Sequence, residues 1–463
     1  MHTHTGNGSA LRKIIAATLT AAILGMPAAA LAQTAKEQEL EARIAELEKL
    51  DKQMSAEKAA APAAPAAAPA KPAGAPIQTA SITPNAAPGT TFLVTGFVKM
   101  DANFTNTSDG ELADSSIGRD FYVPSTIPIG NAALDEGTDL NAHIKQSRFN
   151  FGTDTILEGG GKVSTRFEID FYGRADGDQR ISNGYGPTVR HAYVTWGNWL
   201  VGQTWSNFMD VATLPEAADF IGPTDGTTFL RQPQVRWTKG GLSLSAENRE
   251  TTILPYTALG ACTLANCGRI VSDDGYAPDL TARYAWKASW GHVALAGMLR
   301  ELSHEEYRLA TGTTPAVNID DSTWAGALSL SGKFNFGKDD IRWMLLTGNL
   351  GRYVGLNFAT DAVLSASGSI DSVDGTAGFI AYRHMWTSKL RSTVSYAMQD
   401  YDNESILSNS AANKSSNSWT VNLFYSPIPK LDIGGEYRMA TAERENGAEG
   451  DLDRFQLTTK YSF

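Results

Sequence analysis

From about residue 91 to the end of the chain, apolar and polar side chains alternate with period two. Phe455, Leu457, Thr459, Tyr461 and Phe463 interleave with Arg454, Gln456, Thr458, Lys460 and Ser462. Val163, Thr165, Phe167, Ile169 and Phe171 interleave with Ser164, Arg166, Glu168 and Asp170. Successive side chains on a strand point to opposite faces, so each segment predicts a strand with one apolar and one polar face. Sixteen such strands are read, near 91–104, 142–154, 162–173, 187–196, 199–206, 228–238, 242–250, 279–288, 292–300, 323–336, 340–349, 376–386, 389–399, 416–426, 431–440 and 453–463. Their connections alternate in length. Those after odd-numbered strands are long: 105–141, 174–186, 207–227, 251–278, 301–322, 350–375, 400–415 and 441–452. Those after even-numbered strands are short, as at Gly197-Asn198 and Thr387-Ser388. A soluble sandwich has no reason to alternate so strictly.

A sixteen-stranded antiparallel transmembrane β-barrel does. Its strands cross ~25 Å of hydrocarbon in ~10 residues, with short turns at the periplasmic end and long loops outside. Closure removes the unpaired edge that lipid would not tolerate. Only 19% of residues are charged, below the ~25% usual for soluble chains. After residue 32 no run approaches the ~18 apolar residues of a spanning helix. The expected partners are therefore outer-membrane lipid and lipopolysaccharide. Tyr461 and Phe463, with Leu457 and Phe455 at alternate positions, look like the C-terminal signal read by the barrel-insertion machinery. The net charge of −11 argues against nucleic acid as a partner.

The first 32 residues read as a signal peptide. Arg12 and Lys13 precede an apolar stretch from Ile14 to Leu24, and Ala30-Leu31-Ala32 supplies the cleavage site. Residues 33–58 predict a periplasmic coiled-coil helix, with Leu40, Ile44, Leu47 and Met54 on one seam and Asp51 interrupting it. Such a short helix is marginal alone, which points to association of several copies. Residues 59–88 form an Ala/Pro-rich linker that favours extended conformations. Residues 89–463 are the barrel. Export to an oxidising compartment predicts a disulfide between Cys262 and Cys267, the two cysteines of the chain. Two cysteines without a nearby His argue against a metal site, and no cofactor is expected.

If the apolar face meets lipid, the polar face lines a lumen. Its basic residues near the strand middles, among them Arg148, Arg166, Arg190, Arg236, Arg249, Arg283 and Arg438, outnumber acids such as Asp101, Glu168, Asp170, Glu247, Asp432 and Glu436. Most other acids fall in the long connections. A basic lumen lowers the cost of passing a small anion, and Arg presents a planar fork to carboxylates. The connection 207–227 carries Phe208, Asp210, Leu214, Glu216, Asp219, Phe220 and Asp225. It is less polar than its counterparts and is expected to fold inward as a constriction loop.

Three segments now carry a resemblance: Val201-Gly202-Gln203-Thr204-Trp205-Ser206-Asn207-Phe208-Met209-Asp210, Asp219-Phe220-Ile221-Gly222-Pro223 and Arg231-Gln232-Pro233-Gln234-Val235-Arg236. With the leader, heptad helix, tether and closing Phe463, they resemble the DcaP-like porins of Gram-negative outer membranes. The resemblance implies a trimeric passive channel with a periplasmic coiled coil, taking up small dicarboxylic and aromatic acids. Two other classes compete. A structural barrel could contact the cell wall through its N-terminal helix. A barrel enzyme would need a nucleophile or paired carboxylates, yet no His lies in a Gly-x-Ser-x-Gly or His-Glu-x-x-His context.

Overall fold

The structure, a computed structural model, describes Lys49 and residues 86–463, other than 115, 131–137, 174–181, 256–268, 310–316, 366 and 404–411. The expected signal peptide, coiled-coil helix, most of the linker, and Cys262 with Cys267 lie outside the described residues. Among the described residues no helix is long and apolar enough to cross a membrane.

The chain runs through β1 (Thr90–Thr107), β2 (Asp139–His143), β3 (Arg148–Ile156), β4 (Lys162–Gly173), β5 (Gly186–Trp196), β6 (Trp199–Trp205), β7 (Arg231–Lys239) and β8 (Leu242–Glu247). It continues through β9 (Thr251–Pro255), β10 (Ile270–Ser272), β11 (Asp279–Ala288), β12 (Gly291–Arg308), β13 (Val317–Phe336) and β14 (Asp339–Gly348). It ends with β15 (Ala362–Leu364), β16 (Ile370–Ser372), β17 (Asp374–Met385), β18 (Leu390–Asp402), β19 (Asn413–Tyr425), β20 (Leu431–Arg444) and β21 (Glu449–Ser462). All but β9, β10, β15 and β16 share one antiparallel sheet. β2 and β3 are two stretches of one crossing, both paired to β1, so the wall has sixteen strands. β1 closes it by pairing with β21 from Phe97 opposite Ser462 to Thr107 opposite Leu452.

The turns at one end are short. Gly197, Gly240 and Gly337 take positive φ there, a conformation open to glycine without a Cβ clash. Outward side chains such as Val98, Met100, Leu330, Leu345, Ile380 and Val421 are exposed, as a lipid face requires. Trp196, Trp199, Trp286, Trp290, Trp386 and Tyr425 collect beside the short turns, and Phe463 joins them on the outer face. They form the aromatic girdle of a membrane interface.

Two expected loops are instead wall. Glu301–Arg308 pairs with Val317–Trp324 and extends the β12–β13 hairpin well past its neighbours. Likewise β20 and β21 stay paired out to Glu443 opposite Glu449, replacing most of the 441–452 loop. Polar and charged residues sustain both extensions because outside the bilayer each face can meet water. A further departure is β9, β10, β15 and β16. Drawn from the connections 248–278 and 349–373, they make a separate four-stranded sheet. Ile253, Ala362, Leu364 and Ile370 of this sheet pack on Leu302 and Ala325 of the β12–β13 hairpin.

The inner face is only partly polar. Ala296, Met298, Ala327, Met344, Leu346, Ala377, Phe379, Ala381 and Ala397 are buried under Leu112, Tyr122, Ile127, Phe208, Leu350, Tyr353, Val354 and Phe358 of the connections. Burial of a large apolar side chain is worth roughly 1.5–3 kcal/mol, so loops seated on this sector are part of the core.

Candidate permeation pathway

The connection 206–230 enters the lumen. Phe208, Met209, Asp210, Ala218, Asp219, Ile221 and Asp225 are buried, and Phe208 is fully inaccessible. Gly226 meets the wall so closely that a Cβ there would lie 2.0 Å from the Gly378 carbonyl oxygen. Residues 116–130 of the first connection also fold inward, which the sequence reading did not anticipate. Among them Tyr122 is fully buried and donates its hydroxyl to Asp225 at 2.8 Å. The Phe121-Tyr122-Val123 run, apolar in a nominally external loop, was the available signal.

Each acid of the third connection is engaged. Asp210 lies 2.7 Å from His292 Nε2 and 3.8 Å from Arg283, and accepts from Ser331 at 3.0 Å. Burial alone would raise its carboxyl, but His292 and Arg283 hold it below the ordinary range. Glu216 receives both nitrogens of an Arg391 fork, at 2.6 and 2.7 Å. Asp219 accepts from the amides of Tyr122, Ile221 and Gly222, with Arg438 at 4.0 Å. Asp225 accepts from Tyr122, Ser416 and Ser418, and burial pushes its carboxyl up despite them. Asp210, Glu216 and Asp225 thus attach the loop to β11–β13 and β18–β19, and Asp219 ties it to the first connection.

The facing sector, β3 to β7, has a different character. Arg148, Arg190 and Arg231 share it with two acids, Glu168 and Asp170. Arg190 binds Glu168 at 2.8 Å and Asp170 at 2.7 Å, while Arg148 stands 3.8 Å from Glu168. Arg148 and Arg190 both lie over the Phe220 ring, at 5.5 and 5.2 Å, and Arg231 lies over Trp205 at 5.0 Å. Trp205, Phe229, Phe220 and Phe121 follow one another with ring centres 4.7, 5.5 and 4.9 Å apart. Nη2 of Arg190, Nη1 of Arg231 and Nε of Arg148 are buried without an acceptor. Three guanidiniums against two carboxylates leave this sector with a net positive charge, with Arg190 itself fully buried between its two acids.

The other expected lumen residues fall elsewhere. Arg166 pairs with Asp154 at 3.0 Å near the short β3–β4 turn. Arg236 donates to the Trp205 carbonyl, and Arg283 faces Asp210. Arg249 lies beyond the end of β8 rather than near a strand middle, and donates to Ser303 and the Asp273 carbonyl. Arg438 is buried beneath the loop, stacked on Tyr122 at 4.3 Å and bound to the Gly222 carbonyl at 2.7 Å. It anchors the loop. Arg231 and Phe229 are not among the expected lumen residues, because position at a strand start hides which way a side chain turns. Among the described residues no cluster could hold a metal ion.

Comparison with known proteins places this geometry. The outer membrane channel DcaP of Acinetobacter baumannii superposes with a TM-score of 0.62 at 24% identity, over 81% of this chain and 98% of that one. OmpF of Salmonella typhi, solved with daunomycin, aligns at TM-score 0.47 and 11% identity, over 81% and 98%. The outer membrane protein OmpT of Vibrio cholerae aligns at 0.46 and 11%, over 82% and 99%. No curated protein matches the chain by sequence. The model of the DcaP outer membrane protein family matches residues 80–463, and the chain belongs to that family.

Proposed function

We propose that this outer-membrane barrel is a passive channel with a preference for small anions, dicarboxylic and aromatic acids among them. One observation carries the reading. Asp210, Glu216 and Asp225 are tied to the wall and Asp219 to the inward first connection, whereas across from them Arg148, Arg190 and Arg231 outnumber Glu168 and Asp170. The potential along the path is then set by the arginines. Their spacing along the Phe220, Phe229 and Trp205 rings suits a carboxylate beside a planar apolar body. At an effective dielectric of ~20, a carboxylate ~6 Å from one guanidinium gains roughly 3 kcal/mol before desolvation offsets most of it. The cluster therefore matters more than any one member.

Reversal potentials in planar bilayers under a salt gradient test this. The wild type is expected to favour anions, and Arg148→Ala/Arg190→Ala/Arg231→Ala to shift toward cations, since it leaves Glu168 and Asp170 unpaired. A cation-selective wild type would sink the reading. Discrete conductance steps separate a channel from a wall-anchoring barrel.

A further inference from the structure

At the short-turn end of the lumen, below the third connection, three cations gather around one carboxylate. Asp340 on β14 accepts from Arg342 Nε at 2.7 Å and Arg383 Nη2 at 2.6 Å, and Lys333 Nζ stands 3.7 Å away. Asp340 is 1% exposed, while Lys333, Arg342 and Arg383 keep 25%, 16% and 27% of their side chains open. The carboxylate lies beneath; Lys333 and Arg383 keep their open sides toward the lumen, while Arg342 also donates to the Leu214 carbonyl of the third connection. Lys333 sits directly opposite Arg342 in the β13–β14 register, a like-charged pair that Asp340 bridges with one negative charge against three positive ones. Nε of Arg383 is buried without an acceptor.

Neighbouring acids are already engaged. Asp210 is held by His292, Glu216 and Asp432 by Arg391, and Asp339 by His384 and the Met385 amide. Lys460 lies 3.2 Å from Asp432. The cluster around Asp340 thus carries two uncompensated positive charges within one small oxyanion's reach.

We propose that this cluster is a second anion site, on the periplasmic side of the third connection, for compact polyvalent oxyanions. The open side of the Arg383 guanidinium and the Lys333 ammonium can engage separate oxygens, with Arg342 adding its charge from beneath, and a doubly charged ligand balances what Asp340 leaves over. The position of the site at the periplasmic mouth rests on the channel reading, and it makes block of the current one-sided.

Sodium pyrophosphate is the probe. Calorimetric titration into the detergent-purified full-length protein is expected to show binding at physiological salt. Lys333→Ala/Arg383→Ala should weaken it by about tenfold or more. Asp340→Asn removes the competing carboxylate and should tighten it, an outcome that misfolding does not produce. In bilayers, pyrophosphate should block the current from one face only. Binding unchanged in Lys333→Ala/Arg383→Ala, weaker binding in Asp340→Asn, or equal block from both faces overturns the site. A protein that conducts without binding pyrophosphate overturns this proposal alone. One that binds it in this mutant-sensitive way without conducting overturns the channel reading alone.

Discussion

Arg391 does two things with one fork: it fastens the third connection to β18 and it cancels Glu216. Arg391→Ala is therefore expected to expose a carboxylate beside the path and shift the reversal potential toward cations. Adding Glu216→Gln should restore most of the wild-type value, and the cycle isolates the pair. If the double variant stays as cation-shifted as the single one, the charge came from elsewhere. Arg300 poses the stability question. It is fully buried, binding Asp279 at 3.2 Å, Asp361 at 2.7 Å and Asn349 at 3.0 Å, while Arg352 and the Tyr353 hydroxyl each reach Asp279 at 2.7 Å. Removing one partner from a buried charge network costs about 3–5 kcal/mol. Arg300→Met should lower the thermal midpoint followed by circular dichroism. Arg249→Ala, at a partly exposed loop base, should change it far less.

At the scale of elements, the inward connections behave as parts of the core with charged pins. Gly226 of the third connection has no room for a Cβ against Gly378, so Gly226→Ala should lift the loop, widen the bore and raise unit conductance. The pins set a pH window. Asp210 and Asp361 both lie below the ordinary carboxylate range, because His292 with Arg283, and Arg300, outweigh the upward push of burial. A depressed folded pKa stabilises above the unfolded value of ~3.9 and is lost as pH falls through the folded one. Conductance should then be steady from pH 8 to 5 and become unstable below about 4. Loss of steady current already at pH 6 would mean that other groups hold the loops.

The strands and the inward third connection were legible because period two and a Phe, Leu and Pro content in a nominal loop are local signals. The loop-derived sheet was not, since β9 pairs in parallel with β15 more than a hundred residues away. Nor was the apolar inner sector. Val293-Ala294-Leu295-Ala296 and Met344-Leu345-Leu346 are apolar on both faces, the mark of strands covered on both sides, but which loops cover them is a tertiary fact. Of the expected arginines, Arg148 and Arg190 converge with an unflagged Arg231. Arg438, equally basic and on the same face parity, is an anchor. Sequence parity gives the side of the sheet and not what lies across it.

For the whole molecule, we propose a trimer whose assembly is shared between the barrel and the segment 33–58. The two contributions differ physically. A barrel in lipid has no hydrophobic drive to meet its neighbour, because hydrocarbon already covers its apolar face, so its contacts rest on packing and local polar matches. A helix over 33–58, as the heptad spacing of Leu40, Ile44, Leu47 and Met54 predicts, would have that drive in water. With Asp51 interrupting the seam, it gives less than an unbroken one of equal length would. The barrel core, by contrast, is closed by β1–β21 pairing that needs nothing upstream of Thr90. Deleting residues 33–58 from the mature protein should leave the barrel's β-sheet spectrum and unit conductance intact. The same deletion should lower the temperature at which the oligomer dissociates on unboiled gels. Leu40→Asp/Leu47→Asp, which breaks the seam while keeping the segment, should reproduce that lowering. If both variants dissociate at the wild-type temperature, the helix serves contact with the cell wall rather than assembly.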